Sequence, residues 1–361
     1  LNATNSIFKK LVAILILQLS LCCTVVAQNL EGSYWYFRHL AGVEFTSGHA
    51  VADTNSPLIG SDAVGTISKS NGNLLFMTNG TSVFNSNYNQ VPNSPLIYPT
   101  WNNITSNNHR SLIIKKPGSN HLYYVFVTRR NQIPVTGGGL NCDLYFFIFD
   151  STLDNGLGNL TSSTPINVDT NIVRGISCLD HSNGVDKWII THGFNNNVFY
   201  SNLLDSNGFS VSQVSTNFGQ NLSDLYAIKS SPNSELIITC IADGQQSRVE
   251  LFQFNKTTGS IQHVWTKQFQ NSVHSGAFSP NNKVLYVTTH TGLYQYDITI
   301  FDSTIINNSE YVISNINPFE DIQLGLDGKL YIIDRHYLIF GNGIPTLSTI
   351  DCPNILGSGC N

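Results

Sequence analysis

Six stretches of this chain repeat one arrangement, a polar turn followed by a short run of β-branched and aromatic residues. The clearest is AFSPNNKVLYVTTHTGLYQYDI, from Ala277 to Ile298; related stretches begin at Asn71, Pro117, Ser182, Ser231 and Leu326. The first apolar residues after these turns are Leu74, Leu122, Trp188, Leu236, Val284 and Leu330, spaced by 48, 66, 48, 48 and 46 residues. A turn-punctuated group of strands recurring every ~40–50 residues is the period of a β-propeller blade. One such unit leaves an apolar face bare. The units must therefore pack on one another around a ring.

The expected fold is all-β, a WD40-like or YVTN-like β-propeller of four-stranded blades. Six anchors taken alone give six blades. The strand-like segments Tyr34 to Phe37 and Val43 to Phe45 precede the first anchor, and an N-terminal strand that completes the last blade removes a free sheet edge. The preferred count is therefore seven. The last blade is expected to combine Tyr34 to Phe45 with segments at and beyond Leu338. The 66-residue interval predicts an insertion, placed at Leu157 to Asn171 and read as a long connection.

Residues 1–27 read as a secretory signal peptide. Lys9 and Lys10 precede the apolar run Leu11 to Leu21, and Val25-Val26-Ala27 supplies a small-residue cleavage site. Residues 28–361 are then the propeller domain, with no membrane span after cleavage. Only 11% of residues are charged, the net charge is −5, and no Lys/Arg run exists to neutralise phosphates, which argues against nucleic acid as a partner. Five cysteines follow the signal segment. Cys142, Cys178 and Cys240 are expected to pack as small apolar side chains. Cys352 and Cys360 enclose a Pro/Gly loop and form the one pair that an oxidising compartment could join; the sequence leaves bonded and free states open.

Several motifs occur in a fixed order: SYWYFRHLAGVEFTSG, NGNLLFMTNGTSVFN, SLIIKKPGSNHLYYVF, LDNGLGNL, LDHSNGVDKWIITH, SPNSELIITC, AFSPNNKVLYVTTHTGLYQYDI and IQLGLDGKLYII. As an ordered set covering nearly everything after Ala27, they resemble the N-terminal propeller domain of secreted and cell-surface Bacteroidetes proteins. Such proteins often continue into immunoglobulin-like repeats and a type IX secretion sorting domain of the gliding-motility-associated kind. The resemblance implies a secreted or cell-surface, monomeric module of a longer chain, and the expectation is that this sequence is truncated at its C-terminal end. The chain departs from the family pattern at Asn107 to Arg110 and between Arg174 and His181, which weakens inference through those positions.

Signatures of catalysis are missing: no GxSxG, HExxH, P-loop, GxGxxG or calcium-loop spacing occurs. No catalytic residue, metal ligand or cofactor is assigned on this basis. Because innermost strands of several blades end at a common channel mouth, Arg174 and His192 are the candidates for contacting an anionic or sugar ligand. The competing reading makes His192 a structural histidine bonded to a backbone group. Trp101, in a Pro-Thr-Trp-Asn-Asn loop, is the candidate exposed aromatic, and His109-Arg110 reads as a loop tip. Two functions follow. One is a non-enzymatic module that binds a surface or matrix protein or a glycan, or acts as a rigid spacer in an adhesin-like protein. The other is a lactonase-like propeller hydrolase or lyase with its site in the channel mouth.

Overall fold

A computed structural model describes residues 30–37, 42–56, 58, 64–94, 110–131, 141–243, 246–315, 319–334 and 347–360. It is a seven-bladed β-propeller, seven small antiparallel sheets in a ring. Blade one is Tyr34–Tyr36, Gly42–Glu44 and Val51–Asp53; blade two is Gly65–Ser68, Leu74–Thr78 and Val83–Asn85. Blade three runs outward from Arg110–Lys115 through Leu122–Arg130 to Cys142–Asp150, which pairs with both Asn159–Leu160 and Ile166–Ile172. Blade four is Ser177–Asp180, Lys187–His192, Asn196–Asp205 and Gly208–Leu222, and blade five is Ala227–Ser230, Leu236–Asp243, Gln246–Phe254 and Ile261–Phe269. Blade six is Val273–Phe278, Val284–Thr289, Gly292–Asp297 and Tyr311–Ser314, and blade seven is Phe319–Leu324, Leu330–Asp334 and Leu347–Ile350.

The six sequence anchors all fall in the second strands of blades two to seven. The two Ser-Pro-Asn turns among those that precede them fold alike for a shared chemical reason. In Ser279-Pro280-Asn281-Asn282 the Ser279 hydroxyl accepts from Val284 N at 2.9 Å, and Asn282 closes the turn at φ 61°. In Ser231-Pro232-Asn233-Ser234 the Ser231 hydroxyl accepts from Leu236 N at 2.9 Å, and Ser234 closes at φ 59°. A serine oxygen thus takes the backbone donor that a tight turn would leave unmet.

Among the described residues, seven apolar clusters, one at each blade-to-blade junction, make up the core. The junction of blades three and four, for example, joins Tyr124, Phe126 and Phe146 to Ile189 and Leu204. That of five and six joins Ile238, Leu251 and Trp265 to Leu285, Val287 and Tyr296. The ring closes between seven and one, where Val43, Phe45 and Trp35 pack on Tyr331, Leu326 and Leu347. The number of junctions equals the number of blades, so each sheet buries both faces.

Two expectations are corrected. Tyr34 to Phe45 does not complete the last blade: its strands pair with Val51–Asp53 as a sheet of their own, and blade seven takes Leu347–Ile350 as its third described strand. The aromatic face of Trp35 and Phe45 closes the ring by packing rather than by strand exchange. The stretch from Leu157 to Asn171 is not a plain connection, since it carries extra strands on the outer edge of blade three. Residues 1–29, Trp101, His109 and Leu338 lie outside the described residues. Among the described residues no helix is long and apolar enough to cross a membrane.

Candidate functional site at the channel mouth

The innermost strands all enter from one side of the ring, called here the upper face, so their first residues surround the same channel opening. Tyr226, just before the innermost strand of blade five, is its hub. The guanidinium of Arg174, which precedes the innermost strand of blade four, lies over the Tyr226 ring at 4.1 Å from the centroid. Arg174 also donates from Nη2 to Asp224 Oδ2 at 3.0 Å. Arg110, first residue of the innermost strand of blade three, donates to the Tyr226 carbonyl at 3.3 Å. From blade six, His274 meets Tyr226 edge-on at 5.7 Å, and His290 lies 6.2 Å from His274. Four consecutive blades therefore contribute to one constellation.

Its backbone is fixed from below by Thr128. The Thr128 hydroxyl is fully buried, accepts from Arg110 N at 3.0 Å and donates to Arg174 O at 3.1 Å, tying the entries of blades three and four together. Arg174 is itself buried, at 5% exposure. A buried guanidinium needs a countercharge, which Asp224 supplies. Burial raises the Asp224 carboxyl above its ordinary value, opposed by the charge of Arg174.

His192 ends the second strand of blade four and is 1% exposed. Its Nδ1 lies 2.8 Å from the Gly193 carbonyl, which can only accept, so Nδ1 carries the proton. The ring stands edge-on to Phe199 at 4.6 Å. Burial, helped by the charge of Arg248, pushes its pKa down to about 4 against the raising effect of the Gly193 carbonyl. The structure thus brings Arg174 to the channel mouth and seats His192 in the packed layer behind it. Arg110, expected at a loop tip, is instead part of a strand, because its paired neighbours Ser111 to Lys115 continue in register with Tyr123 to Val127.

Sequence reasoning missed Asp224 and Tyr226. A signal was available: Tyr226, His274 and Glu320 each stand ten residues before the anchor of their own blade. Equivalent offsets in a repeat fold converge on the channel.

Deeper in the channel, Asp321 of blade seven reaches across to Lys229 of blade five at 3.2 Å and accepts from Ser275 of blade six at 2.5 Å. Burial opposes ionisation there, yet Lys229 and Ser275 hold the Asp321 carboxyl below its ordinary value. Its side chain nonetheless retains 43% of its accessible surface. On the lower face a shallow groove of ≈ 470 Å³ is lined by Ser182, Glu235, Gln253, Phe254 and Lys256 and shares no residue with the mouth. Among the described residues no group of three His, Cys, Asp or Glu side chains is placed to hold a metal ion.

No family model and no curated protein matches this chain. Solved structures that resemble it include a putative 6-phosphogluconolactonase from Bacteroides fragilis, at 11% identity over 79% of this chain and 82% of that one, with a TM-score of 0.46. Hsv2p of Kluyveromyces lactis is similar at 10% identity over 84% and 87%, TM-score 0.46, and a glucose dehydrogenase at 11% over 72% and 89%, TM-score 0.43. Likeness at this level carries no argument about activity. The propeller fold rests on the seven sheets themselves.

Proposed function

We propose that this chain is a non-enzymatic propeller module that binds a protein or glycan, with the Tyr226-centred mouth holding an anionic or sugar group. One observation carries the reading: Arg110, Arg174, Tyr226 and His274 converge on one opening from four blades. Cationic and aromatic groups held rigidly around a concavity suit recognition of such ligands. The ordered resemblance to propeller domains of secreted and cell-surface Bacteroidetes proteins supports placing this module outside the cell, in a longer chain.

Asp224 favours a second reading, a hydrolase or lyase working at the same mouth. It is a carboxyl beside a channel whose proton affinity burial raises while the charge of Arg174 opposes that rise, and carboxyls perturbed in this way occur at catalytic sites.

One experiment separates the two. The chain is screened for binding to polysaccharides and matrix proteins, and for turnover of lactones and glycosides, with Arg110→Ala and Asp224→Asn beside it. Saturable binding that Arg110→Ala weakens, without turnover, is the expected result. Turnover abolished by Asp224→Asn, in a protein that still folds, would replace the first reading with the second. Neither binding nor turnover by a cooperatively folded chain would sink both in favour of a spacer.

A further inference from the structure

We infer that Cys352 and Cys360 form a disulfide that fastens the segment after blade seven onto blade six. Both carry free thiols in the structure, Cys352 exposed and Cys360 buried. The backbone already pairs them: Cys352 N donates to Cys360 O at 2.9 Å. That bond closes the loop Cys352 to Cys360 on itself and holds the two backbones side by side, the closeness a disulfide requires, whose Cα atoms lie roughly 4.4–6.8 Å apart.

Contacts independent of the sulfurs hold that geometry. The Tyr286 hydroxyl donates to Pro353 O at 3.0 Å, and Gln295 Nε2 donates to Ile355 O at 2.9 Å and to Tyr286 Oη at 2.7 Å. Gly357 N returns a bond to Gln295 Oε1 at 2.7 Å, and Asn281 N donates to Asn354 Oδ1 at 3.0 Å. Blade six thus grips the loop between the two cysteines at four residues. Cys360 sits in the core between blades six and seven, its thiol within hydrogen-bonding reach of Tyr286. Closing the bond therefore reorganises little backbone, which is the condition under which a disulfide stabilises rather than strains.

The oxidant is a small-molecule or protein disulfide. The exposed Cys352 loses its proton and attacks one sulfur of that disulfide, forming a mixed disulfide and releasing one thiolate. The Cys360 sulfur, losing its proton in turn, attacks the Cys352 sulfur and expels the second thiolate. Two electrons pass to the oxidant, which leaves as two thiols carrying the two protons. Cys142, Cys178 and Cys240 stand apart from this reaction. Cys142 and Cys240 are fully buried in blade cores, and burial pushes the Cys142 and Cys178 thiols up to about 12.

The test incubates the whole chain with oxidised glutathione, alkylates it under denaturing conditions, and maps the bonds by mass spectrometry after cleavage between residues 352 and 360. Peptides linked through Cys352 and Cys360, separable only by reductant, are expected. Oxidised protein should also melt several degrees above reduced protein, and Cys352→Ser should remove that difference while leaving the reduced melting temperature in place. Full alkylation of both cysteines, pairing of Cys352 with any other cysteine, or equal melting of the two redox forms would overturn the inference.

Discussion

The guanidinium of Arg174 lies 4.1 Å from the centre of the Tyr226 ring while its Nη2 holds Asp224 at 3.0 Å. One side chain from the entry to blade four thus clamps both an aromatic and a carboxylate from the entry to blade five. Arg174→Ala removes the countercharge of a buried carboxyl and is expected to cost about 3–5 kcal/mol in urea unfolding. Arg174→Lys should recover only part of this, because an ammonium lacks the planar surface that stacks on Tyr226. Adding Asp224→Asn to Arg174→Ala should restore stability relative to the single variant. A double variant no more stable than Arg174→Ala would mean that packing, not charge, dominates the clamp.

His192 gives the fold an acid-sensitive point. Its pKa falls from 6.5 in the unfolded chain to about 4 in the folded one, since burial opposes the charged form. The unfolded state therefore binds more protons between these values, and stability is full above pH 6.5 and declines as pH falls toward about 4. The shift corresponds to about 3 kcal/mol across that window. Asp224 is raised and acts in the opposite sense, but it is present in wild type and variant alike. The difference in stability between the wild-type chain and His192→Gln should therefore follow His192 alone, with a slope confined to that window. Parallel pH profiles for the two proteins would refute it.

Gly259 is required by the tryptophan of the next-door blade. Trp188 of blade four donates from Nε1 to Lys256 O at 2.8 Å, which draws the Asn255 to Ser260 turn of blade five over its ring. Gly259 has φ +74°, and a Cβ there would meet Trp188 Cζ3 at 2.8 Å. Gly259→Ala combines a left-handed backbone with an overpacked aromatic and should cost about 1–3 kcal/mol. Thermal unfolding followed by tryptophan fluorescence reads both effects. An unchanged melting temperature would show that the turn can retreat at no cost.

The blade repeat was legible because its signal is local. Turn serines, positive-φ residues and β-branched runs recur at one period, and each anchor from Leu74 to Leu330 landed in the same strand of its blade. Blade one was legible only in part: its strands near Tyr34 and Val43 raise the expected count to seven, but the sequence reading assigns them to the last blade. Its strands are three residues each, and its contribution to ring closure is the aromatic set Trp35, Phe45 and Tyr331, which only the closed ring assembles. Arg174 stood out by being an arginine close to a well-matched blade. Tyr226 and Asp224 did not, since their meaning lies in which residues of other blades face them. His192 looked equally promising as a letter, yet its neighbours Phe199 and Gly193 decide its role.

Ring closure makes the last prediction. Phe45 of blade one stands edge-on to Tyr331 of blade seven at 5.5 Å and to Trp35 at 4.7 Å. Phe45 is 1% exposed, so Phe45→Ala leaves a cavity at the junction and should cost about 3–5 kcal/mol. The loss should not spread evenly. Blade one has strands of three residues each, whereas the junction of blades five and six is lined by the fully buried Trp265 and Tyr296. Local opening draws on the least protected unit first. Amide exchange in Phe45→Ala should therefore accelerate in blades one and seven while the second strand of blade five, Leu236–Asp243, stays protected. Equal acceleration in all seven blades would mean that the ring opens only as a whole, and that its closing junction is no weaker than the others.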